Sequence, residues 1–123
     1  MWFNKDDKRT EKRIKGDDKE RLAEETLLAK GFTLIERNFL CKGGEIDLIM
    51  QDQEYLVFIE VRYRENKDFG GALGSITAGK QKKLRRAAEF YLLKNFGNTP
   101  PPCRFDVMAI EGQDEMVWVK NAF

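Results

Sequence analysis

Residues 43–64 read GGEIDLIMQDQEYLVFIEVRYR, and the fold turns on how this stretch is organised. Two apolar runs, 45–50 and 55–63, flank Gln51-Asp52-Gln53-Glu54, a segment too short and too polar for anything but a hairpin turn. Within these runs stand Asp47, Glu60 and Arg62. Acidic side chains inside buried strands are costly unless something offsets their desolvation, and a bound cation is the simplest candidate.

Taking Asp52-Gln53 as a two-residue loop pairs Gln51 with Glu54 and sets Asp47 opposite Phe58 and Glu45 opposite Glu60. Side chains alternate along a strand, and residues opposite one another share a face. Glu45, Asp47, Glu60 and Arg62 then all point to one side, with Asp47 and Glu60 as diagonal neighbours roughly 7–8 Å apart at the backbone. Carboxylates at that spacing can both lean onto one hard cation at about 2.0–2.1 Å.

With 123 residues the chain is large enough for a core without disulfides. Residues 1–19 carry dense charge of both signs and little to bury, so they read as a flexible tail or frayed helix start, ahead of a single domain over 20–123. Charged residues make up 35% and the net charge is +1, so nothing global points to nucleic acid or membrane. The apolar runs are far short of a membrane span and the N-terminus is charged, which predicts a cytoplasmic protein without a membrane segment. Cys41 and Cys103 form no CxxC pattern and read as free thiols of a reducing compartment. The chain has no histidine, which excludes histidine-based triads and the usual zinc sites. Any metal must be held by oxygen, which favours Mg²⁺ or Mn²⁺.

Around the hairpin, Asp17 or Asp18 can cap a helix running from about Lys19 to Lys30, with Gly31 as its stop. Leu22, Ala23, Thr26 and Leu27 make its inner stripe, and Glu20 and Glu24 read as a solvated flank. Residues 32–40 read as a strand, so three strands form an antiparallel meander whose apolar residues call for cover on both faces. Residues 65–79, ENKDFGGALGSITAG, are a glycine-rich crossover that lacks the GxxxxGK spacing of a phosphate loop. A second helix opens at Thr77 and runs to about Phe96, with Leu84, Ala87, Ala88, Tyr91 and Phe96 expected on its core face. Its first turns carry Lys80, Lys82, Lys83, Arg85 and Arg86. Between Arg62 and Lys94, nine basic residues stand against three acids, a local excess of +6 beside the acidic hairpin. Phosphate backbones attract such patches regardless of sequence. After the Pro100-Pro101-Pro102 stop, 104–110 alternates as a strand that can join the sheet in parallel, and 116–120 gives a last one. The order predicted is α-β-β-β-α-β-β, an α/β fold with a mixed sheet flanked by helices.

Four segments in this order, GGEIDLI, VFIEVRYR, FGGALGSITAGKQKKLRRAAEFYL and RFDVMAI, closely resemble the UPF0102 or YraN-like family over about residues 20–123. That family is placed in the PD-(D/E)xK nuclease superfamily, near archaeal Holliday-junction resolvases and tRNA-splicing endonucleases. The resemblance implies a restriction-endonuclease-like core. It sets Asp47 at the metal-binding Asp, Glu60 at the acid of the (D/E)xK element, Arg62 at its lysine, and Glu20 at the first-helix acid that completes the metal site. Lys80 and Gln81 match the basic and amide positions opening the second helix. Ile46 replaces the proline before Asp47, and Arg62 is the larger departure, since arginine keeps its charge and can only orient or stabilise an anion.

The resemblance therefore implies an Mg²⁺- or Mn²⁺-dependent endonuclease, with Asp47, Glu60 and Arg62 catalytic and Glu20, Asp47 and Glu60 holding the metal. Arg64, Lys80, Gln81, Lys82, Lys83, Arg85 and Arg86 would grip nucleic acid, DNA ahead of RNA. A homodimer is open, since resolvase-like relatives that cut two strands would need one. The alternatives are a nucleic-acid-binding module on a nuclease fold without turnover, or a protein-interaction domain with a structural Glu60–Arg62 ion pair.

Overall fold

Gly31 stops the first helix. The structure, a computed structural model, describes residues 8–65, 71–112 and 115–123, with side chains from residue 18 onward. Helix α1 (Lys8–Ala29) closes with Gly31 at φ +98°, its N–H donating to the Leu28 carbonyl at 3.0 Å while the Phe32 N–H donates to that of Leu27 at 3.1 Å. This crossed pair satisfies carbonyls that a helix end leaves open, and it needs the left-handed backbone glycine adopts freely. It also seats Phe32 beside Leu27 in the core. The start differs from expectation: the helix begins at Lys8, so Asp17 and Asp18 lie inside it rather than at its cap. Residues 1–7 of that stretch lie outside the described residues, as do 66–70 of the crossover.

Five strands follow: β1 (Thr33–Cys41), β2 (Gly44–Asp52), β3 (Tyr55–Arg64), β4 (Cys103–Glu111) and β5 (Glu115–Val119). They form one mixed sheet in the order β1-β2-β3-β4-β5, antiparallel except for the parallel β3–β4 pair. The parallel step is made by the crossover carrying α2 (Gly71–Gly74) and α3 (Ala78–Phe96), as parallel neighbours require. On one face, Ala23 and Leu27 of α1 pack on Leu48, Met50, Val57, Ile59 and Met108. On the other, Ala87, Ala88 and Tyr91 of α3 pack on Phe39, Ile46, Ile49, Leu56 and Phe58. Both faces are covered, which is why β3 reads as an almost unbroken apolar run.

Helix α3 begins with the Thr77 hydroxyl accepting the Lys80 N–H at 3.2 Å and ends at Gly97, φ +58°. Leu84, Ala87, Ala88 and Tyr91 are buried as expected, but Phe96 is 37% exposed and does not belong to that stripe. Glu24 also departs from its expected place in solvent. It is 8% exposed and takes a bidentate hydrogen bond from Arg37, Nε at 2.6 Å and Nη2 at 2.8 Å.

The hairpin register needs correcting. Asp52 pairs with Tyr55 and Gln51 with Leu56, so the two-residue loop is Gln53-Glu54 rather than Asp52-Gln53. Asp52 is kept in the strand because Arg104 Nη2 donates to its carboxylate at 2.9 Å, and Gln53 takes the turn at φ +55°. Strict alternation also fails in β1 and β2. Arg37 turns toward α1 and Phe39 toward α3; two residues apart, they should share a face. Leu48 and Ile46 likewise lie on opposite faces. Between them are Asn38, at φ +51°, and Asp47, which the β1–β2 pairing passes over, as it does Ile35 at the bulge between Leu34 and Glu36.

Candidate active site

Asp47 stands where β2 leaves β3. The β2–β3 pairing ends at Leu48↔Ile59, and the next β3 amide, that of Val61, donates to Asp47 Oδ2 at 2.8 Å instead of to a strand carbonyl. The carboxylate thus replaces a ladder bond and is fixed by it. Continued by one residue, the same register sets it opposite Glu60, which is 5% exposed. Glu60 Oε2 is buried with no hydrogen-bond partner, and its closest cation is Lys80 Nζ at 3.8 Å.

Burial pushes the Glu60 carboxyl up to about 9. The adjacent Asp47 carboxyl adds to this as hydrogen-bond partner and as like charge, while Lys80 and Arg62 pull the other way. A desolvated acid beside a second acid must hold a proton or a cation. The two therefore compete for one place.

The pair opens on a cavity of about 480 Å³ lined by Lys19, Glu20, Asp47, Glu60, the run from Val61 to Glu65, and Lys80. Arg62 is held there: its Nε donates to Ser75 Oγ at 2.9 Å, and the Ser75 hydroxyl donates to the Ala72 carbonyl at 2.6 Å. The Ala72 N–H in turn donates to Glu111 Oε1 at 3.1 Å, tying the crossover to the end of β4. So anchored, Arg62 lines the cavity beside the acid pair.

Glu20 lines the same cavity but is not drawn into the acid pair. With the Asn38 amide oriented to donate, its nitrogen lies 3.2 Å from Glu20 Oε2 and 3.2 Å from Glu45 Oε1. Among the described residues, no three Asp, Glu, Cys or His side chains converge closely enough to hold a metal ion. The remaining basic residues scatter. Lys80 and Arg64 reach the cavity. Gln81 Nε2 turns back to the Ile76 carbonyl at 3.5 Å, and Arg85 stacks over the Phe123 ring at 5.6 Å. Lys82, Lys83 and Arg86 are exposed, the last two beside the Gly43-Gly44 turn.

Sequence reasoning passes over Ser75 and Lys19, whose partners in the cavity are far away in the chain. It also passes over the buried pair Arg104 and Asp106. Asp106 accepts from Arg104 Nε at 3.1 Å, Trp118 Nε1 at 3.0 Å and the Asn121 N–H at 2.9 Å. Every polar atom there is satisfied; Asp106 stands opposite Ile59, next to Glu60 in the strand pair, and alternation turns it to the other face of the sheet. It is a clamp for β5 and the hairpin rather than a second site.

A mixed sheet flanked by helices, with a desolvated acid pair facing a cation-lined cavity, defines an α/β domain with a candidate catalytic cleft. The chain belongs to the uncharacterised protein family UPF0102, whose model matches residues 19–110. It is 54% identical over 114 residues to a UPF0102 protein of Janthinobacterium sp. (strain Marseille), covering 93% of this chain and 90% of the relative. A UPF0102 protein of Nitrosococcus oceani is 50% identical over 114 residues, covering 90% and 92%. One from Colwellia psychrerythraea is 46% identical over 128 residues, covering 100% of this chain and 99% of the relative. Among the described residues, no helix is long and apolar enough to cross a membrane.

Proposed function

We propose that this protein is a metal-dependent nuclease built on a restriction-endonuclease-like core, hydrolysing phosphodiester bonds in DNA. The observation that carries this reading is the orphaned, buried Glu60 Oε2 beside Asp47, facing Lys19, Arg62, Arg64 and Lys80 across one cavity. Two carboxylates, one with an oxygen that no hydrogen bond satisfies, fit a hard dication whose other ligands are waters and substrate oxygens. Asp47 and Glu60 would hold Mg²⁺ or Mn²⁺, with Glu20 on the cavity wall. When bound, the ion would supply Lewis acidity and a water activated for attack.

The chain's own residues would do the rest. Asp47, pinned by the Val61 amide, fixes one carboxylate in place. Arg62, anchored through Ser75, keeps its charge at any working pH and can stabilise negative charge building on a phosphate. It cannot take a proton from water. Lys80, Lys19 and Arg64 line the approach for flanking backbone phosphates.

A second reading is favoured by Arg62 and by the want of a converging third acid: a nucleic-acid-binding module without turnover. Incubating the protein with duplex, single-stranded, flap and four-way-junction DNA and with structured RNA, with Mn²⁺ or Mg²⁺ and with chelator, separates them. Metal-dependent cutting lost in Asp47→Ala and Glu60→Ala supports the nuclease. Binding that weakens steeply with salt, without cutting, supports the module. No binding to any nucleic acid at low salt overturns both.

A further inference from the structure

Gly71 and Glu111 are packed too closely for a side chain to stand between them. Gly71 opens α2 at φ +67°, a conformation that favours glycine, and a Cβ there would overlap the Glu111 carboxylate, 2.8 Å from its Cδ. That space is taken by Glu111 Oε1, which accepts the Ala72 N–H at 3.1 Å. A one-turn helix such as α2 cannot hold itself together. Among the described residues, contacts of two kinds hold it. Ala72, fully buried, packs on Val107 and Ala109 of β4. Apolar contact has no direction, so it fixes α2 against the sheet without fixing the angle at which the turn presents Ser75. The hydrogen bond to Glu111 has direction and supplies that angle.

Glu111 is itself firmly mounted. Its backbone pairs with Arg64 of β3 on one side and with Glu115 of β5 on the other, and the neighbouring Gly112 N–H donates to the Arg64 carbonyl at 2.9 Å. Along β4, Val107, Ala109 and Glu111 alternate onto one face, and Arg62 stands opposite Ala109 on that face. Helix α2 therefore lies over β4 with Glu111 at its start and Arg62 beyond its end.

We propose that Glu111 is a positioning residue for Arg62, acting through α2. The Glu111 carboxylate holds the Ala72 N–H, the Ala72 carbonyl accepts the Ser75 hydroxyl at 2.6 Å, and Ser75 Oγ accepts Arg62 Nε at 2.9 Å. The chain of bonds has one sense. A hydroxyl has a single proton, and once that is given to Ala72 the Ser75 oxygen can only accept, which is what a guanidinium, a donor alone, requires. Turning α2 would break the series at its weakest joint and leave Arg62 its charge without its orientation. That Arg62 serves a phosphate rests on the nuclease reading; that Glu111 places Arg62 does not.

Two measurements separate the placement from its use. Heteronuclear NMR of the full chain, without metal, follows the exchange of the Arg62 Nε–H with water. Loss of one hydrogen bond to a charged group should make that exchange at least about tenfold faster in Ser75→Ala, and faster by a similar factor in Glu111→Ala. Gly71→Ala, whose methyl displaces the Glu111 carboxylate, should match Glu111→Ala. Glu111→Gln keeps an acceptor oxygen for Ala72 and should stay within about twofold of the parent. The double variant Ser75→Ala/Glu111→Ala should exchange no faster than Ser75→Ala, because both changes cut one series of bonds. The use is read in Mn²⁺-dependent cutting of DNA, where Glu111→Ala should lower kcat about tenfold, leave KM unchanged, and cost nothing further in an Arg62→Ala background. Exchange no faster in Glu111→Ala than in the parent, exchange as fast in Glu111→Gln as in Glu111→Ala, or a loss of kcat as large in the Arg62→Ala background as in the parent would each overturn the proposal. A parent that cuts no nucleic acid overturns the nuclease reading instead, and the exchange rates alone then decide whether Glu111 places Arg62.

Discussion

The carboxylate of Asp47 accepts the backbone N–H of Val61 at 2.8 Å, in the place where the β2–β3 ladder has just ended. One side chain therefore serves both as a strand bond and as half of the acid pair. Asp47→Ala leaves the Val61 amide without this acceptor and should destabilise the protein by about 1–3 kcal/mol. Asp47→Asn keeps an acceptor oxygen and should cost less than half as much. Urea unfolding of both variants in chelator checks the order; equal losses would mean that the hydrogen bond carries no stability.

Glu60 gives the fold a pH dependence of definite sign. Its carboxyl sits near 9 in the folded protein against an ordinary 4.5, so between those values the folded state holds a proton that the unfolded state has lost. Stability from this group is full below pH 4.5 and falls as pH rises toward 9, by at most about 1.4 kcal/mol per pH unit. Above 9 both states are ionised and the loss levels off. Glu60→Gln cannot ionise, so its melting temperature in chelator should overtake that of the parent by a margin that widens from pH 5 to pH 8.

A divalent cation should reverse that trend. If Asp47 and Glu60 hold Mg²⁺ or Mn²⁺, the ion displaces the Glu60 proton, so binding should tighten with pH and release a proton to the buffer. At a hundred times Kd the ion would add about 2.7 kcal/mol of stability. Calorimetry at pH 7 in buffers of different ionisation enthalpy checks the proton, and thermal melts check the stabilisation. Both effects should vanish in Glu60→Gln.

On the other face of the sheet the charges are structural. Asp106 is fully buried and holds Arg104, Trp118 and the Asn121 amide. Asp106→Ala strands a buried guanidinium whose remaining acidic partner is Asp52, and should cost about 3–5 kcal/mol. Denaturant unfolding measures the loss. Changing Arg104 and Asp106 together to apolar residues should cost less than Asp106→Ala alone, since no unpaired charge then remains.

The sequence by itself determined neither the start of α1 nor helix α2, but it determined the five strands and the second long helix, the stop at Gly31, the cap at Thr77 and the three-strand meander. These rest on local backbone preference and on apolar periodicity, which are written residue by residue. It also marked Asp47, Glu60, Arg62 and Lys80, because charges inside or beside apolar runs are visible in one dimension. Only the tertiary structure decided how those groups meet. The loop moved to Gln53-Glu54 because Arg104, half a chain away, keeps Asp52 in its strand. Asp47 came directly opposite Glu60 rather than diagonal to it, because the moved loop shifts the register by two and so keeps both acids on the face that alternation assigns them. Glu24 went inside because Arg37 arrived to pair with it. Each of these depends on a partner distant in sequence, and periodicity cannot name such a partner.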